Sequence, residues 1–364
     1  MYGMGRVSIL FAFLICAGCA VTEPAIETTT QSVTFQDGCP PKECGSNSSV
    51  VNGVYFYELA WSGAPNSEGV KLLGYAGLPA GATKLDVVKN ELVARNALGV
   101  QVAWGPQLVG SGFVLDVGGN VVLLRITNYH RILRYWAADD GTQLSSYTFA
   151  YPVVEGPSTV WKPLCTVTDV ADGVAALDAF VFEGDRYDPK TKAVTTGAAT
   201  RGWFNIACMG GAPAKTYRMR ATTASSDPFA LPKPITTTVA QRQSIFNMWV
   251  ANYCGDGQAF TVPGEPLRVR DAKKWIPLTS AWSWDKEPTE VGTPVSSYEA
   301  VWGPDGAVCL DVPRRDDSAP GYREVIADHC ESVDHDLPLC SDLAAFPNAW
   351  LSSGFYATAN PTGS

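Results

Sequence analysis

Cysteine distribution constrains this chain more than any other feature. Of ten cysteines, two (Cys16, Cys19) lie in an export leader and eight do not. Met1 to Cys19 reads as a secretory signal: Arg6 is its only charge, Ile9 to Ile15 forms an apolar core, and small residues follow. The leader is shorter than a spanning helix of roughly 20 apolar residues. The remaining cysteines are Cys39, Cys44, Cys165, Cys208, Cys254, Cys309, Cys330 and Cys340. An even count behind an export signal predicts disulfides in an oxidising compartment. Eight cysteines allow roughly a hundred connectivities, and sequence alone does not choose among them. Spacing favours two local loops, Cys39–Cys44 and Cys330–Cys340, and two longer bridges, Cys165–Cys208 and Cys254–Cys309. Zinc is disfavoured: no Cys-x-x-Cys pair exists, and Pro40-Pro41 stiffens the Cys39–Cys44 interval.

The leader ends in Cys16-Ala17-Gly18-Cys19, which resembles a bacterial lipoprotein box with Cys19 as the lipidated residue. Cys16 stands where such a box usually has Leu. Residues 20–43 carry a Thr- and Glu-rich stretch without Lys or Arg up to Gly38 and are expected to be a flexible tether. Its first 19 residues span roughly 25 Å as a coil. With Ala20 after the lipidated cysteine, the expected destination is the outer membrane or cell surface, or the periplasm or exterior if Cys19 is not lipidated.

The folded part is expected to be β-rich α+β. With 46% hydrophobic and 17% charged residues the chain is no disordered polymer. Its 34 glycines and 25 prolines favour short strands and turns. Residues 44–155 are expected to form an all-β sandwich or barrel-like region. Alternating runs occur at Val54–Leu59, Lys84–Ala94, Gln101–Val109, Gly112–Val117 and Val121–Asn128, with final strands at Arg131–Ala137 and Ser146–Tyr151. Gly118-Gly119-Asn120 predicts a tight hairpin. Residues 156–345 are expected to form a disulfide-linked α+β domain, followed by a tail over 346–364. Val239–Tyr253 predicts a helix, with Ile245, Met248, Trp249 and Asn252 at helical spacing, Thr238 as cap and Gly255 as stop. Val167–Ala179 is a second, weaker helix candidate.

A net charge of −9 argues against a nucleic-acid partner, since phosphate attraction needs a basic footprint larger than Arg268/Arg270/Lys273/Lys274. Motifs for serine nucleophiles, zinc proteases and phosphate loops are absent, and no cofactor or catalytic residue is expected. Three histidines are present, and Asp328-His329-Cys330-Glu331 with Asp334-His335-Asp336 reads as a solvated acidic loop beside a Cys330–Cys340 bridge. A loop of that composition offers ligands for Zn²⁺ or Ca²⁺, but the spacing of the two histidines fits no helical metal pair. Asp185 and Asp188 offer carboxylates to Ca²⁺ without the ligand loop that such sites use. Cys254, expected at a helix C-terminus where the dipole raises a thiol pKa, reads as a bridge rather than a nucleophile. Aromatic residues read chiefly as core, with a carbohydrate groove as the alternative.

One combination of segments is distinctive. Trp161-Lys162-Pro163-Leu164-Cys165 is followed by Trp203-Phe204-Asn205-Ile206-Ala207-Cys208, then Ala251-Asn252-Tyr253-Cys254-Gly255-Asp256-Gly257, then Tyr298-Glu299-Ala300-Val301-Trp302-Gly303-Pro304-Asp305-Gly306-Ala307-Val308-Cys309-Leu310. Together with Cys44-Gly45-Ser46-Asn47-Ser48 and Val51-Asn52-Gly53, this resembles the ADYC domain, a family of exported bacterial proteins, often lipoproteins, named for an Ala-Asp-Tyr-Cys motif. Asn252 stands where the motif has Asp. Two further cysteines of the family pattern, after Ala214-Lys215-Thr216 and near Ile245, are missing together, which implies that they bond to each other in relatives. A His/Arg stretch after Cys309 is Asp311-Val312-Pro313-Arg314-Arg315 here. The resemblance implies compartment and fold but no reaction. The expected role is a surface-anchored envelope lipoprotein that is a non-catalytic binding or structural module, with an envelope glycan or protein as the candidate partner. The alternative is a hydrolase acting on an envelope polymer.

Overall fold

Hydrophobic alternation over short runs becomes a layered, strand-rich α+β architecture. The computed structural model describes residues 49–131, 144–165, 177–209, 211–218, 237–260, 268–271, 297–314, 321–342 and 351–355. Cys19, Cys39 and Cys44, the tether, and most of the Val167–Ala179 helix candidate lie outside them, as does the expected strand after Arg131. In chain order the strands are β1 Ser49–Val51, β2 Val54–Phe56, β3 Glu58–Ala60, β4 Lys71–Ala76, β5 Lys84–Val88, β6 Glu91–Arg95, β7 Gln101–Trp104, β8 Gly112–Val117, β9 Asn120–His130 and β10 Ser146–Glu155. They continue with β11 Ser158–Pro163, β12 Asp178–Phe182, β13 Arg186–Tyr187, β14 Val194–Thr195, β15 Trp203–Cys208, β16 Arg268–Asp271, β17 Ser297–Gly303, β18 Gly306–Leu310 and β19 Leu351–Phe355. The helices are α1 Ala212–Arg218, α2 Val239–Val250 and α3 Tyr322–Ser332.

An eight-stranded antiparallel sheet dominates, in the order β3-β15-β12-β10-β9-β8-β4, with β11 paired to β10 beyond the end of β12. A three-stranded sheet, β5-β6-β7, covers one face. Between them lies a core that includes Leu85, Leu92, Phe113, Leu124, Phe149, Val181, Phe204 and Ile206. On the opposite face, Phe180 and Phe182 of β12 and Ala207 of β15 pack with α1 and α2 residues Tyr217, Phe246 and Val250. All five β12 residues are buried, and Ala179 to Phe182 form the apolar run that a strand between two covered faces requires. Beyond α2, a four-stranded sheet β16-β19-β17-β18 and α3 build a further core around Met248, Tyr253, Trp302, Ile326 and Cys330.

Several local expectations hold. The β8–β9 hairpin turns at Gly118-Gly119, both at positive φ, as a two-residue turn between right-twisted strands demands. Thr238 caps α2, accepting from the Gln241 N–H while the Gln241 side chain accepts from the Thr238 N–H. Other features differ. Lys84–Ala94 is a hairpin rather than one run, because Lys89 and Asn90 both take positive φ without glycine. Asp178 and Ala179 begin a strand, not a helix end. The sheet also continues past residue 155: the expected boundary falls in the β10–β11 turn, and β12 and β15 join β3, β4, β8 and β9.

The disulfides correct the expected pairing. Cys165–Cys208 forms as spacing favoured. Cys254 pairs with Cys330, and Cys309 with Cys340. Local spacing missed this exchange because α3 holds Cys330 against Cys254 of the motif loop, while Cys309 on β18 meets Cys340. Among the described residues no helix is long and apolar enough to cross a membrane.

Candidate functional site

The motif Ala251–Gly257 begins where α2 ends. Ala251 is left-handed, and its N–H reaches back to the Asn247 and Met248 carbonyls. This closes the helix one turn before the expected stop at Gly255. Asn252 is buried; its Nδ2 donates to Asn247 Oδ1 at 3.1 Å and its Oδ1 accepts from the Gly257 N–H. Asn247 in turn donates to the Gly303 and Pro304 carbonyls. A carboxamide at position 252 thus supplies a donor where the motif's Asp has none.

Tyr253 is fully buried, stacked on Trp302 with ring centroids 5.2 Å apart, and its hydroxyl donates to Glu299 Oε1 at 2.5 Å. The Glu299 carboxylate also receives Arg314 Nε at 2.6 Å and the Ser353 hydroxyl at 2.5 Å, while Trp302 Nε1 donates to that hydroxyl. Arg314 donates as well to the Met248 carbonyl in α2. Every group in this network finds a charged or polar partner, which offsets the desolvation of a buried ion pair. Burial and the Glu299 charge push the Tyr253 hydroxyl well above its ordinary pKa. For Arg314, burial opposes the charge, but Glu299 outweighs it and holds the guanidinium ionised.

Two glycines lock the motif to the β17–β18 hairpin. A Cβ on Gly255 would lie 2.0 Å from the Asp305 carbonyl oxygen, and one on Gly306 would lie 2.4 Å from that of Tyr253; both have positive φ. The Ala307 N–H donates to the Tyr253 carbonyl at 2.7 Å across the same contact. Cys254 is tied to α3, and Asp256 meets His329 Nε2 at 2.8 Å. His329 and Cys330 are thus helical residues facing the motif, not members of an acidic loop. His335 Nε2 donates to the Ala307 carbonyl at 2.7 Å. Cys254, Asp256 and His329 place one ligand-type atom each within 4.8 Å of one another.

A second polar cluster lies at the ends of β9, β10 and β12. The buried Asp178 carboxylate accepts from His130 Nδ1 at 2.6 Å, from the Ser146 hydroxyl and from the Thr148 hydroxyl. Asn128 Nδ2 lies 3.1 Å from His130 Nε2. The acceptor-only carboxylate requires a proton on His130 Nδ1. His130 on β9 and Asp178 on β12 flank β10, and the sheet register brings them together across that strand.

A third cluster sits on the rim of the sandwich. Half-buried Trp61 stacks on Phe204 with centroids 3.8 Å apart and donates Nε1–H to Glu183 at 3.0 Å. Burial raises the Glu183 pKa; the Trp61 N–H opposes this and the Asp86 charge adds to it. Tyr75, packed near Phe113, is pushed up to about 12 by burial and by Asp86. Asp86 is itself paired with Arg95 at 2.7 Å. None of these residues belongs to a motif, so composition and spacing carry no signal for them. Asp185 and Asp188, weighed above as Ca²⁺ ligands, are otherwise engaged. Asp185 is buried against Arg242 at 2.7 Å, and Asp188 accepts from the Lys190 and Thr191 N–H groups.

The family profile described as the ADYC domain matches residues 105–316. That span holds Cys165, Cys208, the motif and Cys309, and ends before Cys330. No curated protein and no solved structure matches the chain.

Proposed function

The chain belongs to the ADYC domain family, and on that premise we propose that it is an exported envelope lipoprotein, anchored through lipidated Cys19, that acts as a non-catalytic binding or structural module. One observation carries this reading: the family-naming residues are engaged inside the protein. Tyr253 is buried against Trp302 and Glu299, Cys254 is bridged, and Gly255 lies against backbone. Tyr253 and Cys254 engaged in this way brace the fold rather than meet a substrate. The proposed location is the outer membrane or cell surface, the proposed partner an envelope glycan or protein. Expression with the native leader, followed by intact-mass measurement before and after reduction and alkylation, tests the anchor. Diacylglycerol on Cys19 and cysteines protected until reduction are expected; an unlipidated product overturns the anchor.

A hydrolase reading draws on Glu183. A half-buried acid with a raised pKa, flanked by Trp61 and near Asp86, has the character of a general acid. Turnover of peptidoglycan or another envelope glycan by the purified protein, lost in Glu183→Gln, would replace the non-catalytic reading. Absence of turnover across pH 4–8 removes the alternative.

A further inference from the structure

We propose that Cys254, Asp256, His329 and Cys330 form a four-ligand site for a zinc-class divalent cation when the Cys254–Cys330 disulfide is reduced. The inference rests on the geometry of the α2–α3 junction and is independent of the anchoring role.

Two residues of the motif loop meet two consecutive residues of α3. Cys254 meets Cys330 through the disulfide, and Asp256 meets His329 through a 2.8 Å contact. The Cys254 sulfur, an Asp256 oxygen and a His329 nitrogen all lie within 4.8 Å of one another, and Cys330 Sγ is bonded to the first of these. Zinc holds sulfur at about 2.3 Å and nitrogen or oxygen at about 2.0–2.2 Å in a tetrahedron, so its donors stand within 4 Å or so of each other. Three of the donor atoms lie within 4.8 Å of one another and the fourth, Cys330 Sγ, is one bond from the first, so a small contraction around an ion brings the four to that spacing. Breaking the disulfide separates the sulfurs to van der Waals contact, which opens room for an ion between them and the Asp256–His329 pair. The two sulfurs are buried, whereas Asp256 is exposed and His329 half-buried. Soft donors therefore lie inside and the N/O donors on the solvent side, where an ion would enter. His329 brings its Nε2 to the site, so a neutral imidazole is the ligand form.

The chemistry balances simply. A dithiol such as dithiothreitol gives two electrons and two protons to the disulfide and closes to its own cyclic disulfide; Cys254 and Cys330 become thiols. Metal binding then releases two thiol protons to solvent as the sulfurs coordinate as thiolates. The ion replaces the covalent brace between α2 and α3.

The test uses the mature chain, reduced with dithiothreitol, exchanged into reductant-free anaerobic buffer and titrated with Co²⁺ as a spectroscopic stand-in for Zn²⁺. Visible d–d bands of tetrahedral intensity and a thiolate-to-cobalt charge-transfer band are expected at one ion per chain, with neither in the oxidised chain. Cys254→Ser and His329→Ala should each weaken binding by more than about tenfold, while Cys165→Ser and Cys309→Ser leave it unchanged. Should a variant not refold, the rate of Cys254–Cys330 re-oxidation in the reduced wild-type chain, read by alkylation and peptide mass, supplies the second measurement. Zn²⁺ is expected to slow that pair selectively. A reduced chain that takes up no Co²⁺, binding insensitive to Cys254→Ser and His329→Ala, or re-oxidation unaffected by Zn²⁺ would overturn the site.

Discussion

Gly255→Ala isolates the close approach on which the motif depends. Position 255 has φ +73°, and an added Cβ would lie 2.0 Å from the Asp305 carbonyl oxygen and 2.6 Å from its carbon. A left-handed alanine costs about 1–2 kcal/mol. The overlap must then be relieved by moving backbone by about 1 Å, since neither carbonyl atom belongs to a side chain that can turn away; overpacking of this kind costs about 1–3 kcal/mol. The same displacement threatens the 2.7 Å bond from Ala307 N–H to the Tyr253 carbonyl, a loss of about 1 kcal/mol. The expected total is about 3–6 kcal/mol. Gly81→Ala is the internal control: φ is +80° there, but nothing lies within 4 Å of the added Cβ, so only the conformational cost of about 1–2 kcal/mol remains. Urea unfolding of the oxidised variants reads the difference. At a slope of about 2–3 kcal/mol per molar urea, the two midpoints should differ by roughly 1 M. Equal midpoints would refute the close-approach argument, because both variants would then feel backbone strain alone.

Other perturbations probe the rest of the brace. Glu299→Gln leaves the Arg314 guanidinium buried beside a neutral partner, and a loss of about 3–5 kcal/mol in urea is expected; under 1 kcal/mol would show the pair to be dispensable. Replacing Cys254 and Cys330 together by Ser opens a loop of sequence separation 76, for which chain entropy predicts a loss of about 4.5 kcal/mol; denaturation midpoints check it. Asn252→Asp restores the motif's residue but sets a carboxylate oxygen against Asn247 Oδ1. It should cost about 1–3 kcal/mol at neutral pH. Because that contact raises the folded-state pKa, stability should recover on acidification, and a pH-independent difference from wild type would count against it. Asp188 works in the opposite direction. Burial pushes its carboxyl up, but bonds from the Thr191 N–H, the Ser67 hydroxyl and the Lys190 N–H outweigh this and hold it below 3.8. Its stabilisation is present above pH 3.8 and lost as pH falls through the lower folded-state value. The acid limb of the wild-type stability profile should therefore be steeper than that of Asp188→Asn.

What local chemistry controls was readable in the residues. Gly118-Gly119 specifies its hairpin because both turn positions need positive φ. Thr238 and Gln241 specify the start of α2 through reciprocal caps. The motif around Tyr253 and Cys254 identifies the family, and an even cysteine count calls for disulfides. These signals act over a few residues and need no knowledge of where the chain goes next. The Lys89-Asn90 turn marks their limit: its left-handed residues carry no glycine, so alternation alone runs straight through it.

Tertiary structure decided the rest, because the partners are distant in sequence and of ordinary type. Glu299, Arg314 and Ser353 become one network with Tyr253 only when β17 and β19 pair and the chain beyond β18 turns beneath α2. Glu183 has its raised pKa from burial, to which the Asp86 charge on the covering sheet adds and which the N–H of Trp61, 122 positions earlier, opposes. Cys254 reaches Cys330 rather than Cys309 because α3 lies against the end of α2. Spacing ranks bridges by loop length, whereas the fold ranks them by which sulfurs the packed elements bring within bonding distance. The same packing sets His329 opposite Asp256 and turns four scattered residues of the sequence into one cluster.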